Sequence, residues 1–243
     1  MFRSIIAILI AILYLIITLP VVCVLLIIER SDPKKRERIA RPMIQWVFRM
    51  FLSVGGAKVH VSGTENIPKD GPCLFIGNHR GIFDVITTYT LTDRELCYVS
   101  KDSLAKIPLF STWMRLIGCL FFDRSDLRDG MRMLKDAMQK INDGTRVFIF
   151  PEGTRSKGDT ELPLLPFHEG TFRIATRTGC PIVPVAIRGT AEFFERQYPR
   201  LCPTDIYVSY GEPIDPTVFS RSEQKHMGER LQGVITDMLS SSS

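Results

Sequence analysis

The chain has 243 residues, of which 45% are apolar and 23% charged, and this length suits one sizeable globular domain with an appendage. Its net charge of +5 is spread over 31 basic and 26 acidic residues, so the basic stripe of a nucleic-acid-binding protein is missing and we expect no nucleic-acid partner. The six cysteines form no CxxC pair, which favours reduced core thiols over disulfides or a zinc site.

The first predicted element is an apolar segment near the N-terminus. Residues 5–28 carry no charge and are long enough to cross a hydrocarbon core of about 30 Å as a helix. Only Arg3 precedes the segment, whereas a basic cluster follows it: Lys34, Lys35, Arg36, Arg38 and Arg41. This asymmetry predicts that the following domain lies on the cytoplasmic side of a membrane, and the flanks argue against a cleaved signal peptide. Because Pro20 can kink or break a helix, both a simple span and a hairpin dipping into one leaflet remain open.

A second apolar stretch, residues 42–54, contains Gln45 and Arg49 four positions apart. This spacing predicts an amphipathic helix at the membrane interface with one polar side. We therefore assign residues 1–54 to a membrane-anchoring helical segment and residues 55–243 to a separate globular domain.

Within residues 55–243, short runs of β-branched and aromatic residues alternate with helical patterns. The predicted strands are 58–62, 73–76, 96–99, 147–150, 182–187 and 206–210. The predicted helices are 126–142, capped by Ser125 and ended by Gly144, then about 170–177, ended by Gly179, and roughly 221–239. This alternation predicts an α/β fold in which helices cover a mixed, largely parallel sheet, with functional sites beyond the carboxyl ends of the strands.

The first of two unusual strand ends is residues 78–84, with the sequence NHRGIFD. In one continuous helix, residues five apart point about 140° away from each other, so His79 and Asp84 meet only if His79 lies in a turn. Gly77 and Gly81 permit that turn. A carboxylate bonded to one ring nitrogen would leave the other free to accept a proton from a hydroxyl group. A histidine that only caps the helix, with Asp84 on the surface, is the alternative.

The second strand end is residues 150–157, with the sequence FPEGTRSK. A carboxylate, a glycine that exposes backbone N–H groups, a hydroxyl and two cations leave one strand together. Such a set suits a bound phosphate held by N–H groups and guanidinium. An ordinary glycine turn with solvated charges is the alternative.

Four blocks in order resemble those of the glycerolipid acyltransferase family, and most closely its lysophosphatidic acid acyltransferases. They are residues 78–84 (NHRGIFD), 118–124 (GCLFFDR), 150–156 (FPEGTRS) and 183–185 (VPV), and the resemblance covers about residues 70–190. It implies that residues 55–243 form an acyltransferase catalytic domain. It also implies an acyl-CoA or acyl carrier protein donor, a lysophosphatidic acid acceptor and membrane lipids as partners, without a metal or bound cofactor.

The resemblance also implies roles for individual residues. His79 would act as the general base on the acceptor hydroxyl and Asp84 would orient it, with direct acyl transfer and no acyl-enzyme. The candidates for the acceptor phosphate are Arg155, Arg124 and Lys101, in a pocket shaped by Glu152, Gly153 and Thr154. For Arg124, a surface ion pair with Asp123 or Asp126 is the alternative.

Two positions depart from the family pattern. Gly81 stands where the family often has Ser, and His168 stands where it often has Lys. Neither change touches the His79 and Asp84 pair, but the His168 change leaves the identity of the acceptor open.

Three rival functions are weighed against this interpretation. An acyltransferase for a phosphate-free lysolipid, such as lyso-ornithine lipid, does not explain the intact segment 152–155. A non-catalytic lipid-binding protein leaves His79 and Asp84 without a purpose. A hydrolase lacks its usual support, because the sequence has neither a GxSxG nor an HExxH motif.

Overall fold

The computed structural model describes residues 1–123 and 125–241, and its N-terminal part is helical. Helices α1 (Phe2–Ile17) and α2 (Leu19–Ser31) meet at a bend of 56°. Pro20 lies in the first turn of α2, where a missing N–H breaks no helical hydrogen bond, so the chain bends and continues. No single helix in the described residues has the length and apolar character to cross a membrane, although the bent pair together does by these two criteria.

Helix α3 (Pro33–Gly55) packs against the domain with its polar side. Gln45 donates hydrogen bonds to the carbonyls of Tyr89 and Thr92 at 3.1 and 2.7 Å, and Arg49 donates to Thr90 O at 3.2 Å. The predicted polar side of the helix therefore faces the domain. Gln45 and Arg49 satisfy backbone carbonyls that the end of another helix leaves unpaired.

Among the described residues, seven strands form one sheet. The strands are β1 (Lys58–Ser62), β2 (Leu74–Gly77), β3 (Leu96–Lys101), β4 (Leu120–Phe122), β5 (Arg146–Ile149), β6 (Ile182–Arg188) and β7 (Asp205–Tyr210). Their order is β1-β7-β6-β2-β5-β3-β4, and every neighbouring pair is parallel except β6 with β7. The predicted α/β fold with a mixed, largely parallel sheet is confirmed, as are all six predicted strands.

The remaining helices cover both faces of the sheet. They are α4 (Ile82–Thr90), α5 (Phe110–Leu116), α6 (Leu127–Asn142), α7 (Arg173–Thr178), α8 (Thr190–Phe193) and α9 (Met227–Ser241). The three predicted helices are confirmed as α6, α7 and α9. Helices α7 and α9 begin later than predicted, at Arg173 and Met227. Asp126, not Ser125, caps α6, because its carboxylate accepts the Arg128 N–H.

Alternate residues of each strand face opposite sides of the sheet, as the strand period of two requires. On β2, Phe75 packs in a core shared with α2, α3, α4 and α5, whereas Leu74 and Ile76 pack in a core shared with α6, α7 and α9. Both faces are buried, so the central strands are apolar throughout.

The start of α1 is bonded to residues that are distant in sequence. The Arg3 guanidinium donates to Gly55 O at 2.7 Å, and the buried Ser4 hydroxyl accepts the Leu201 N–H at 2.9 Å. The outer side of α1 and α2 is nevertheless strongly apolar, with these exposed side chains: Phe2, Ile5, Ile8, Leu9, Ile12, Leu13, Ile16, Ile17, Leu19, Val24, Leu26 and Ile27. An exposed apolar face of this extent marks an interaction surface.

Candidate active site

The carboxyl ends of five mutually parallel strands, in the order β6, β2, β5, β3 and β4, meet along one edge of the sheet. Thr190 follows β6, His79 follows β2, Glu152 follows β5 and Lys101 ends β3. Parallel pairing therefore brings residues that are distant in sequence to one row, the usual place for a site in such a sheet.

His79 lies in the turn between β2 and α4, as the sequence predicted. Its Nδ1 is 2.8 Å from Asp84 Oδ2, and Asp84 is the third residue of α4. Asn78 fixes the start of the turn against β6. Its side-chain amide donates to Ile187 O at 2.9 Å and accepts from Ile187 N at 2.8 Å. The alternative in which Asp84 lies on the surface is excluded, because Asp84 is fully buried.

Four donors hold the Asp84 carboxylate. Besides His79, the backbone N–H groups of Arg80 and Gly81 donate to it at 2.7 and 2.8 Å, and the Thr190 hydroxyl donates to its other oxygen. A buried carboxylate with this many donors is held as an acceptor in one orientation. Asp84 therefore accepts a hydrogen bond from the Nδ1–H group of His79. In a neutral imidazole this leaves the lone pair on Nε2.

The His79 ring is stacked on Phe150, with centroids 4.2 Å apart and planes inclined by 19°. The ring is 11% exposed, and Nε2 has no hydrogen-bond partner within residues 1–123 and 125–241. A ring that is clamped on one face and bonded through Nδ1 leaves Nε2 free to accept a proton at the sheet edge.

Glu152 supports the backbone beneath this ring. Its carboxylate accepts the His79 N–H at 2.6 Å and the Leu165 N–H at 3.1 Å. Burial raises the pKa of Glu152, and the hydrogen bonds from His79 and Leu165 partly oppose that rise. Glu152 thus joins the end of β5 to the turn that carries His79.

The rest of this loop turns outward toward solvent. Gly153 has φ +66°, in the left-handed region that favours glycine, and the His168 ring lies against it. Ser156 N donates to His79 O at 2.8 Å, which ties the loop to the histidine turn. Thr154 and Arg155 between them are exposed.

Lys101, another predicted phosphate residue, lies farther along the sheet edge. Lys101 is exposed at the end of β3, which is separated from β2 by β5. Arg124 falls outside the described residues. No cluster of three or more His, Cys, Asp or Glu side chains in the described part of the chain is arranged to hold a metal ion.

Two residues at the site were not predicted from sequence. Thr190 bonds Asp84 from the end of β6, and Glu195 accepts the Ile82 N–H at 2.6 Å while lying 3.9 Å from Arg155 Nη1. Thr190 could have been suspected because it closely follows a predicted strand, where sites in parallel sheets lie. A glycine at the N-cap of α4, Gly81, could have indicated that another residue supplies the acceptor there, and that residue is Glu195.

Sequence comparison relates this chain to known enzymes. The profile of the Acyltransferase family matches residues 58–188. A probable 1-acyl-sn-glycerol-3-phosphate acyltransferase of Mycoplasma pneumoniae is 30% identical over 238 residues, which cover 90% of this chain and 88% of the relative. The Borreliella burgdorferi 1-acyl-sn-glycerol-3-phosphate acyltransferase is 29% identical, over 83% of this chain and 78% of the relative.

A chloroplastic 1-acyl-sn-glycerol-3-phosphate acyltransferase of Brassica napus is 33% identical over 64% of this chain, and the match spans only 45% of that longer relative. Among solved structures, the 1-acyl-sn-glycerophosphate acyltransferase of Thermotoga maritima superposes with a TM-score of 0.76 at 26% identity. The match covers 98% of this chain and 97% of that one. Site, family profile and full-length relatives agree, and the chain belongs to the acyltransferase family.

Proposed function

We propose that the protein transfers a fatty acyl group from a thioester carrier to the free hydroxyl of 1-acylglycerol-3-phosphate, giving phosphatidic acid. The observation that carries this proposal is the buried His79–Asp84 pair, whose free Nε2 opens at the same sheet edge as the loop of Arg155. The names of the relatives supply the acceptor, since several act on 1-acyl-sn-glycerol-3-phosphate.

In the proposed reaction, His79 Nε2 takes the proton of the acceptor hydroxyl while the hydroxyl oxygen attacks the thioester carbonyl. The new ester C–O bond forms as the C–S bond breaks. The thiolate that leaves receives the proton back from the imidazolium, so no external oxidant, reductant or water is needed. Asp84 holds the ring throughout and stabilises its transient positive charge.

We assign the acceptor phosphate to the outward part of the loop after β5. Arg155 offers a guanidinium that is 48% exposed and can form paired hydrogen bonds to a phosphate. Gly153 and Thr154 belong to the same loop. Lys101, at the end of β3, and Arg124 are further candidates from the sequence. Glu152 supports this pocket indirectly, because its carboxylate bonds the His79 N–H and fixes the start of the loop.

We propose that α1, α2 and the outer side of α3 lie in the cytoplasmic leaflet of a membrane. Their apolar side chains are exposed, and both Trp46 on α3 and the α1 residues contribute to this surface. The contacts of Arg3 and Ser4 keep the start of α1 beside the domain, which favours a helical hairpin in one leaflet over a simple span. The lipid substrates would then reach the site without crossing bulk water.

The test is phosphatidic acid formation by the purified protein in phosphatidylcholine vesicles. Lysophosphatidic acid is supplied with acyl-CoA in one arm and with acyl carrier protein in the other, and lyso-ornithine lipid replaces the acceptor in a third. We expect turnover with at least one donor, little with the phosphate-free acceptor and none with His79→Ala. Failure with both donors, or a preference for lyso-ornithine lipid, would overturn the proposal.

A further inference from the structure

The start of α4 carries a glycine, and the place that a side chain would take there is occupied by another residue. Gly81 is the N-cap residue of α4, and its backbone is extended, with φ −159° and ψ 171°. Other residues adopt this conformation readily, so backbone geometry does not require glycine here. A Cβ atom at position 81 would instead overlap the carboxylate of Glu195, so the absence of a side chain is matched to Glu195.

Glu195 supplies a hydrogen-bond acceptor to the start of α4. Its Oε1 accepts the N–H of Ile82, the first residue of α4, at 2.6 Å. The first N–H groups of a helix have no partner within the helix, and Ser, Thr, Asp or Asn at the N-cap normally supplies one. Here the acceptor comes from a segment 113 residues away.

The same carboxylate faces the proposed phosphate ligand. Arg155 Nη1 lies 3.9 Å from Glu195 Oε1, with side-chain exposures of 48% and 21% respectively. The other oxygen, Oε2, is buried and has no hydrogen-bond partner in the described part of the chain. Burial and the neighbouring Asp84 raise the pKa of Glu195, whereas Arg155 lowers it.

We propose that Glu195 is a positioning residue of the active site: it replaces the N-cap side chain missing at Gly81 and holds the Arg155 guanidinium toward the acceptor phosphate. The Arg155 part of this inference rests on the proposed function. One carboxylate would thereby fix both the helix that carries Asp84 and the cation that receives the substrate headgroup.

Two substitutions of Glu195 separate these roles. Glu195→Gln retains an oxygen for the Ile82 N–H and removes the negative charge, so we expect the acceptor KM to rise about threefold with a smaller change in kcat. Glu195→Ala removes both, and kcat and Tm should fall as well. Glu192→Gln is the matched control, because Glu192 pairs with Arg196 at 3.0 Å and should affect neither KM nor Tm as strongly.

A double substitution tests the match between positions 81 and 195. Gly81→Ser alone should lower Tm and reduce kcat about tenfold or more, because the overlap displaces the start of α4 and small displacements at a catalytic centre are costly. In Gly81→Ser with Glu195→Ala, the serine hydroxyl can cap α4. We expect Tm and kcat to recover above both single variants, while the acceptor KM stays raised.

The Tm and KM measurements test separate parts of the proposal for Glu195. Additive losses of Tm in the double variant would overturn the capping role, whether or not the enzyme accepts lysophosphatidic acid. An acceptor KM of Glu195→Gln equal to that of Glu192→Gln would overturn the Arg155 role. An inactive wild-type protein would instead contradict the proposed function and with it the Arg155 role, and the Tm measurements would still decide the capping role.

Discussion

The two halves of the site are built in different ways. On the histidine side, the Asp84 carboxylate is fully buried and receives four hydrogen bonds, and the His79 ring is stacked on Phe150. On the proposed phosphate side, Arg155 is 48% exposed and its contact with Glu195 is 3.9 Å long. The groups that we propose for proton transfer are fixed in place, whereas the proposed phosphate ligand lies in an open loop.

This difference follows from what each half would do. Proton transfer requires a base at hydrogen-bond distance in one orientation, so its surroundings should determine that orientation completely. A headgroup that enters from a membrane surface must find its cation accessible. We therefore expect changes on the histidine side to lower kcat and changes on the phosphate side to raise the acceptor KM.

The largest effect is expected for Asp84→Asn. The Asn amide cannot accept from all the donors that face Asp84, and it no longer selects the imidazole tautomer with a free Nε2. We expect kcat to fall about 10³-fold, with the acceptor KM changed much less. Steady-state kinetics with varied lysophosphatidic acid would check this, and a rise in KM alone would place Asp84 on the binding side of the comparison.

A smaller effect is expected for Arg155→Ala. Loss of a charge-assisted contact should raise the acceptor KM about tenfold or more while leaving kcat within a few-fold of the wild-type value. Lys157→Ala, which removes a neighbouring exposed cation of the same loop, is the matched control. Equal effects of the two variants would show a general attraction for anionic lipid instead of a specific contact.

Glu152→Gln should change the pH dependence of stability. Because the folded-state pKa of Glu152 is raised above its ordinary value of 4.5, its contribution to the free energy of unfolding is complete below that value and is lost as pH rises through the folded pKa. The difference between wild type and Glu152→Gln should therefore shift against the wild type as pH rises above 4.5 and through the folded-state pKa. Urea unfolding across this range measures it, and a constant difference would contradict the burial argument.

The smallest effect is expected at the membrane surface. Trp46 is 55% exposed on α3, and Trp46→Ser should weaken partitioning into phosphatidylcholine vesicles a few-fold, with kcat in detergent unaffected. Val218, which is 72% exposed in the segment between β7 and α9, provides the control substitution Val218→Ser. Vesicle flotation compares the two, and equal losses would move the membrane-facing surface away from α3.

Local patterns predicted much of the fold. The apolar runs of β2, β5 and β6 became strands that are buried on both faces, whereas the runs of β1 and β7 became strands with an exposed face. The spacing of apolar residues defined α6. The three-residue strand β4 was missed, since it is too short to show a pattern. The direction in which Gln45 and Arg49 point could not be predicted, because their partners are carbonyls of α4, 44 and 41 residues away.

The site shows the same division. The turn that joins His79 to Asp84 lies within five residues, so the local sequence of a strand end followed by a helix start is enough to predict it. The contacts of Thr190 with Asp84 and of Glu195 with Ile82 join residues 106 and 113 positions apart. Only the order of strands in the sheet brings them together, and that order is not written in any local pattern.

The most direct test of the account is a double-mutant cycle on kcat with His79→Ala, Asp84→Ala and the double variant, using the preferred thioester donor and lysophosphatidic acid. If Asp84 acts only through the imidazole, the double variant should be no slower than His79→Ala, because residues that act as a unit have non-additive effects. Additive losses would contradict the account, since they would mean that Asp84 contributes to the reaction independently of His79.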